Sequence, residues 1–182
     1  ATATQGSFGY GASAYGGTTI PDIVGQLRVD QAWGLFQASV AAHDNNPAYY
    51  GAAQTSGGPG GKWGWAGQLA LSIKNIPTGP GDTINLQGVY TNGATRYNIQ
   101  DQASPASAAT IFSDVTGVGY GFAPDSVYGP GGSLQLVSTW GMRGGFNHNW
   151  NPYWSSSGFG AYASARYTGA AKAAMCGVGG TV

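Results

Sequence analysis

The sequence predicts an all-β chain: an antiparallel sheet whose strands have the two unlike faces of a transmembrane β-barrel. Three observations predict it. Apolar and polar residues alternate with period two in several runs, each near the roughly 9–11 residues that cross a bilayer as a tilted strand. The apolar phase of the central run opens with Trp63 and Trp65, where an aromatic girdle at a membrane interface lies. The connections between runs alternate short and long, the asymmetry of barrels with tight turns on one side and long loops on the other.

The elements follow in order. Residues 6–17 (GSFGYGASAYGG) alternate weakly through Phe8, Tyr10, Ala12 and Ala14. Residues 22–31 set Ile23, Gly25, Leu27 and Val29 against Val24, Gln26, Arg28 and Asp30. A tight connection at 31–34 leads to Phe36, Ala38, Val40 and Ala42, opposed to Gln37, Ser39, Ala41 and His43. Residues 43–61 then read as a long loop, with DNNP and SGGPGG.

The clearest run, 62–74, sets Trp63, Trp65, Gly67, Leu69, Leu71 and Ile73 against Lys62, Gly64, Ala66, Gln68, Ala70, Ser72 and Lys74. NIPTGPGD (75–82) breaks it as a turn, and alternation resumes over 83–91, with Ile84, Leu86, Gly88 and Tyr90 on one face. A second long excursion, 92–132, precedes a strand over 134–149, where Trp140, Met142, Gly144 and Phe146 oppose Gly141, Arg143, Gly145 and Asn147. After a turn at 151–157, Phe159, Ala161, Ala163, Ala165 and Tyr167 are expected to oppose Gly160, Tyr162, Ser164 and Arg166. That makes six clear strands, with residues 6–17 and 111–122 able to supply one or two more.

Composition narrows the class. At 182 residues the chain is the size of one domain, taken here as 1–182. Only 8% of residues are charged, where a soluble domain carries about a quarter, so a large share of the surface needs no charge. The formal net charge is zero, which offers no bulk attraction for nucleic acid. Cys176 is the only cysteine, which excludes an internal disulfide framework and a cysteine-based metal cluster. Neither helical heptads nor amphipathic helical faces stand out. No signal-peptide pattern opens the sequence, and both ends read as incomplete.

The blocks IPDIVGQLRVDQAWGLFQASVAAHD, GGKWGWAGQLALSIKNIPTGPGDTINLQGVYTNGATRYN, WGMRGGFNHNWNP and FGAYASARYTGAAKAAMC resemble the general porins of rhizobia and related alphaproteobacteria. The resemblance runs over most of 20–177 in the family's order. It implies a diffusion channel of the bacterial outer membrane, a homotrimer of barrels with roughly 16 strands each. Its partners would be outer-membrane lipid, small hydrophilic solutes and ions. Against the family's pattern, the usual N-terminal strands, the inward-folded constriction loop and the closing aromatic-ended strand are expected to be missing here. By the same resemblance, Cys176 would have a partner in a later loop.

Charge and aromatic positions give the candidate site. Arg28, Lys62, Lys74, Arg143 and Arg166 all fall in the expected polar phase of their strands, with Asp30 the one acid firmly there. In a barrel that phase faces the aqueous lumen, whereas Arg or Lys on the lipid face costs about 2–4 kcal/mol at the midplane. Trp63 and Trp65 are expected at one membrane interface, and Trp33, Trp150 and Trp154 at the other.

Catalytic, cofactor and metal readings find little. The sequence has no glutamate, no GxSxG and no HExxH, and its glycine runs lack the Lys-Ser/Thr and helix of a phosphate loop. Asp30 and Asp125 could be posed as a carboxylate pair, but no spacing joins them. His43-Asp44-Asn45-Asn46 suggests a cation site less than ordinary loop-start chemistry. An enzyme is not expected. Two other classes compete with a channel: a glycine- and tyrosine-rich adhesive surface protein, and a glycan-binding β-sandwich with tryptophan platforms.

Overall fold

The computed structural model describes residues 3–5, 16, 19–50, 53–99, 124–129 and 131–176. The expected strands at 6–17 and 111–122 lie outside the described residues. The strands are β1 (Ala3–Gln5), β2 (Ile23–Gln31), β3 (Gly34–Asn45), β4 (Lys62–Lys74), β5 (Thr83–Asn92), β6 (Ser126–Tyr128), β7 (Gln135–Leu136), β8 (Ser138–Asn151) and β9 (Trp154–Arg166). One helix, α1 (Gly169–Cys176), follows them.

Six of these strands form one antiparallel sheet in the order β2-β3-β4-β5-β8-β9. They are the six read from the period-two pattern, and each long one is of membrane-crossing length. The sheet is open, with β2 and β9 as its edges among the described residues. Strand limits differ from expectation at three places, the first being the strand expected over 134–149, which is split at Val137 into β7 and β8. β3 runs on through Asn45, so His43 and Asp44 belong to a strand and not to a loop. β9 begins at Trp154, so the expected turn at 151–157 shrinks to Pro152 and Tyr153, with Asn151 Oδ1 accepting from the backbone N–H groups of Tyr153 and Trp154.

The connections stay short, long, short, long, short. The 75–82 turn opens with Asn75 at φ 54°, a left-handed conformation that asparagine tolerates. At the opposite end, β6 and β7 of the β5–β8 connection join the N-terminal β1 in a small second sheet, β1-β6-β7, with β1 parallel to β6. Under it lie Tyr128 and Leu134 packed with Tyr50, and Val127 and Val137 packed with Ala171 of α1. Buried aliphatic side chains thus concentrate in the connections and not between two layers of the main sheet. α1 is an element that the alternation pattern did not show, built on an alanine-rich segment.

Candidate channel-lining face

Directly paired residues in neighbouring strands point to the same side of a sheet, so the register sorts side chains by face. One row on the polar side reads Arg28, Gln37, Ala70, Gln87, Arg143 across β2, β3, β4, β5 and β8. The next row toward the short turns holds Asp30, Leu35, Ser72, Asn85 and Gly145, and beyond it come Lys74, Thr83 and Asn147. Four strand spacings separate Arg28 from Arg143, about 19 Å of arc. Arg28 Nε donates to Asp30 at 2.7 Å on the exposed surface. Arg143 reaches toward the carbonyl of Asn98 at 3.4 Å. Lys62 is on the same face at the long-loop end, where its Nζ donates to the Leu134 carbonyl at 2.6 Å.

Arg166 does not belong with them. Its partner in the register is Ser138, two residues from Trp140 on the other face, while Ala161 is the partner of Arg143. The expected phase of β9 is therefore inverted: Gly160, Tyr162, Ser164 and Arg166 lie on the apolar side, and Phe159, Ala161, Ala163 and Ala165 on the polar side. The cause is physical. A register irregularity at Asn149/Asn151 sets the pairing of the β8–β9 hairpin, and a one-residue slip moves every side chain to the opposite face.

The apolar side lies open. Leu27 is 63% exposed, Val40 64%, Leu69 58% and Met142 57%, all on that face and spread over four strands. Contiguous exposed apolar side chains of this kind are unusual on a water-soluble monomer. Trp63 and Trp65 lie at its long-loop end, with Trp65 beside Tyr90 at 5.4 Å between ring centres. Trp33, Trp150 and Trp154 lie at the short-turn end, where Trp150 stacks edge-on against His148 at 4.3 Å.

A segment of the β5–β8 connection folds back onto the polar side. Small residues make the floor for it. Ala41 and Ala66 are paired across β3 and β4, and the ring of Tyr97 packs against them with Ala94. A Cβ on Gly64 would stand 2.2 Å from the Gly93 carbonyl oxygen, and one on Gly141 would stand 2.4 Å from Asn98 Oδ1. Only glycine allows so close an approach at these two positions. Asn98 Nδ2 donates to Thr139 Oγ1 at 3.0 Å, and Asn45 Nδ2 donates to the Gly93 carbonyl at 2.7 Å. A groove of about 190 Å³ remains beside Tyr97, with Gln37, Ser39, Gln68 and Val89 in its walls. Residues 93–99 of the β5–β8 connection thus pack on the polar face, where the sequence led to no such loop being expected.

Polar groups hold this segment to the wall. Tyr97 donates its hydroxyl to Asp22 at 2.6 Å, and His43 Nδ1 lies 2.6 Å from the other Asp22 oxygen. Burial opposes ionisation of Asp22, but the bonds from Tyr97 and His43 outweigh it and hold the carboxyl below its usual range. Burial, then the bond to Asp22, pushes the Tyr97 phenol up to about 12. Asp125 is buried and accepts from Thr95. Asp22, His43, Thr95, Tyr97, Asn98 and Asp125 are the residues that sequence reading did not join. Their one legible trace was the run of small residues on an otherwise polar phase.

The two chemical alternatives come apart in space. Asp30 lies near the short turns while Asp125 packs against Thr95 at the long-loop end, so they are not a carboxylate pair. His43 and Asp44 are neighbours on one strand and point to opposite faces, which fits neither a joint cation site nor the loop-start reading preferred to it. No group of metal-binding side chains occurs among the described residues.

A family model described as a porin subfamily matches residues 2–181. The chain belongs to the porin family. No curated protein and no solved structure matches it. Porins are membrane-embedded β-barrel channels, not enzymes, and the open, antiparallel, two-faced sheet is consistent with that fold. No helix among the described residues is long and apolar enough to cross a membrane.

Proposed function

We propose that the chain forms the wall of a bacterial outer-membrane channel through which small hydrophilic solutes and ions diffuse passively. The observation that carries this reading is the division of one sheet into an exposed apolar face and a polar face that receives a segment of its own chain. The apolar face meets lipid, with Trp63 and Trp65 at one interface and Trp33, Trp150 and Trp154 at the other. Arg28, Asp30, Lys74 and Arg143 line the lumen, and Lys62 anchors a loop at its mouth.

Hydrocarbon does not tolerate unpaired strand edges, so β2 and β9 pair with further strands and close the barrel. The resemblance to alphaproteobacterial general porins favours a homotrimer. A glycan-binding sandwich loses support because no second sheet covers the apolar face among the described residues. The test is planar-bilayer recording of the purified protein. The proposal expects discrete, nearly ohmic current steps that scale with salt concentration. Protein that inserts and yields no steps overturns it.

A further inference from the structure

We propose that Asp125 is the positioning residue of the inward segment, a buried clamp at the neck of the β5–β8 connection that fixes the bore. This rests on the channel reading above. The connection leaves the wall after Asn92 and rejoins it at Ser138, so its two limbs run close together at the neck. Asp125 lies on the returning limb and is 1% exposed.

Its contacts join the two limbs to each other and to the wall. Oδ1 accepts from both the backbone N–H and the hydroxyl of Thr95 on the outgoing limb, the hydroxyl at 2.8 Å. Its backbone carbonyl accepts from Val137 N–H at 2.9 Å, where the chain turns back to the wall. Oδ2 faces Nε2 of His43 at 3.9 Å, on β3. His43 continues to Asp22, and Asp22 to Tyr97. Thr95 and Tyr97 share one short helical turn, so the chain of contacts closes on itself.

Burial decides what kind of role this is. A carboxylate shut away from water and engaged by Thr95 meets no permeating ion, so its effect on transport passes through the position of the segment. Removing this buried acceptor breaks the two Thr95 bonds that join the limbs, and the neck loosens. The small floor residues under Tyr97 then hold the segment less closely.

The experiment compares three variants of the full chain in planar bilayers and in liposome swelling with sugars of increasing size. Asp125→Asn keeps an Oδ1 acceptor for Thr95 and is expected to match wild type in conductance and size cut-off. Asp125→Ala removes it, and swelling with the larger sugars should rise by about twofold or more, with noisier open-channel current. Thr95→Val keeps the backbone N–H and loses the hydroxyl, so it should fall between the two. It also serves if Asp125→Ala does not fold, as read by heat-shifted gel mobility. A conducting wild type with Asp125→Ala and Thr95→Val unchanged overturns the clamp alone. So does Asp125→Asn behaving like Asp125→Ala, since that would make charge and not position the cause. A wild type that inserts and conducts nothing overturns the channel reading together with this proposal.

Discussion

His148 Nδ1 lies 2.6 Å from Asp82 Oδ2 and ties the turn between β4 and β5 to the face of β8. The same carboxylate accepts from Thr78 at 2.6 Å and from the backbone N–H of Asn149 at 2.8 Å. Trp150 and Phe146 flank the imidazole. A short turn at one end of the sheet is thereby fixed to a strand that is 66 residues away along the chain.

This arrangement predicts a pH dependence. Burial works against the charge on Asp82, yet the bonds from Thr78, Asn149 and His148 prevail and hold its carboxyl at about 2, below the ordinary 3.8. A depressed carboxylate contributes stability that is present above 3.8 and lost as pH falls through about 2. The amide resonance of Asn149 should therefore titrate with a midpoint of about 2. Asp82→Asn should abolish that step. A midpoint in the ordinary carboxylate range contradicts the staple.

Selectivity should depend unequally on the two arginines of the central polar row. Arg28 shares its charge with Asp30 at 2.7 Å, whereas Arg143 reaches toward the Asn98 carbonyl. A fixed charge about 8 Å from an ion in water contributes about 0.5 kcal/mol, a factor of about two. Arg143→Gln should shift the reversal potential in a salt gradient toward cations by about that factor in permeability ratio. Arg28→Gln should shift it less, and both shifts should shrink at high salt. Equal shifts would show that the Asp30 pairing does not offset Arg28.

Arg166 should behave as an interface residue. At the end of β9 on the apolar face, a guanidinium near the headgroups costs about 0–1 kcal/mol, against about 2–4 kcal/mol at the midplane. Arg166→Gln should leave selectivity unchanged, while moving an arginine inward to Tyr162 should lower the unfolding free energy by about 2 kcal/mol. Urea-unfolding midpoints in lipid vesicles and reversal potentials measure the two. A selectivity shift in Arg166→Gln as large as that of Arg143→Gln would return Arg166 to the lumen.

What could be read from the sequence follows from which signals are local. β4 is legible because bulky apolar residues fill one phase from Trp63 to Ile73 while Gln68, Ser72 and Lys74 mark the other. The face of β9 is not, because glycine, alanine and serine occupy both phases, with Phe159 in one and Tyr162 in the other. Its face depends on the irregularity at Asn149/Asn151, a feature of backbone pairing that composition does not record. The inward segment was hidden for another reason. Its contacts join residues 75 apart in Tyr97 and Asp22 and 41 apart in Asn98 and Thr139, beyond any periodic pattern. α1 escaped because an alanine-rich helix has high propensity but little contrast between its faces.

The central claim, that one face of the sheet meets water and the other lipid, is tested most directly by a cysteine scan of β4. In a Cys176→Ser background, single cysteines replace residues 68–73 in turn, and the protein in vesicles meets a small water-soluble thiol reagent. Labelling is predicted at Gln68, Ala70 and Ser72, with Leu69, Leu71 and Ile73 protected and reached only by a reagent dissolved in the bilayer. Uniform labelling of all six, or labelling in the opposite phase, would contradict the account.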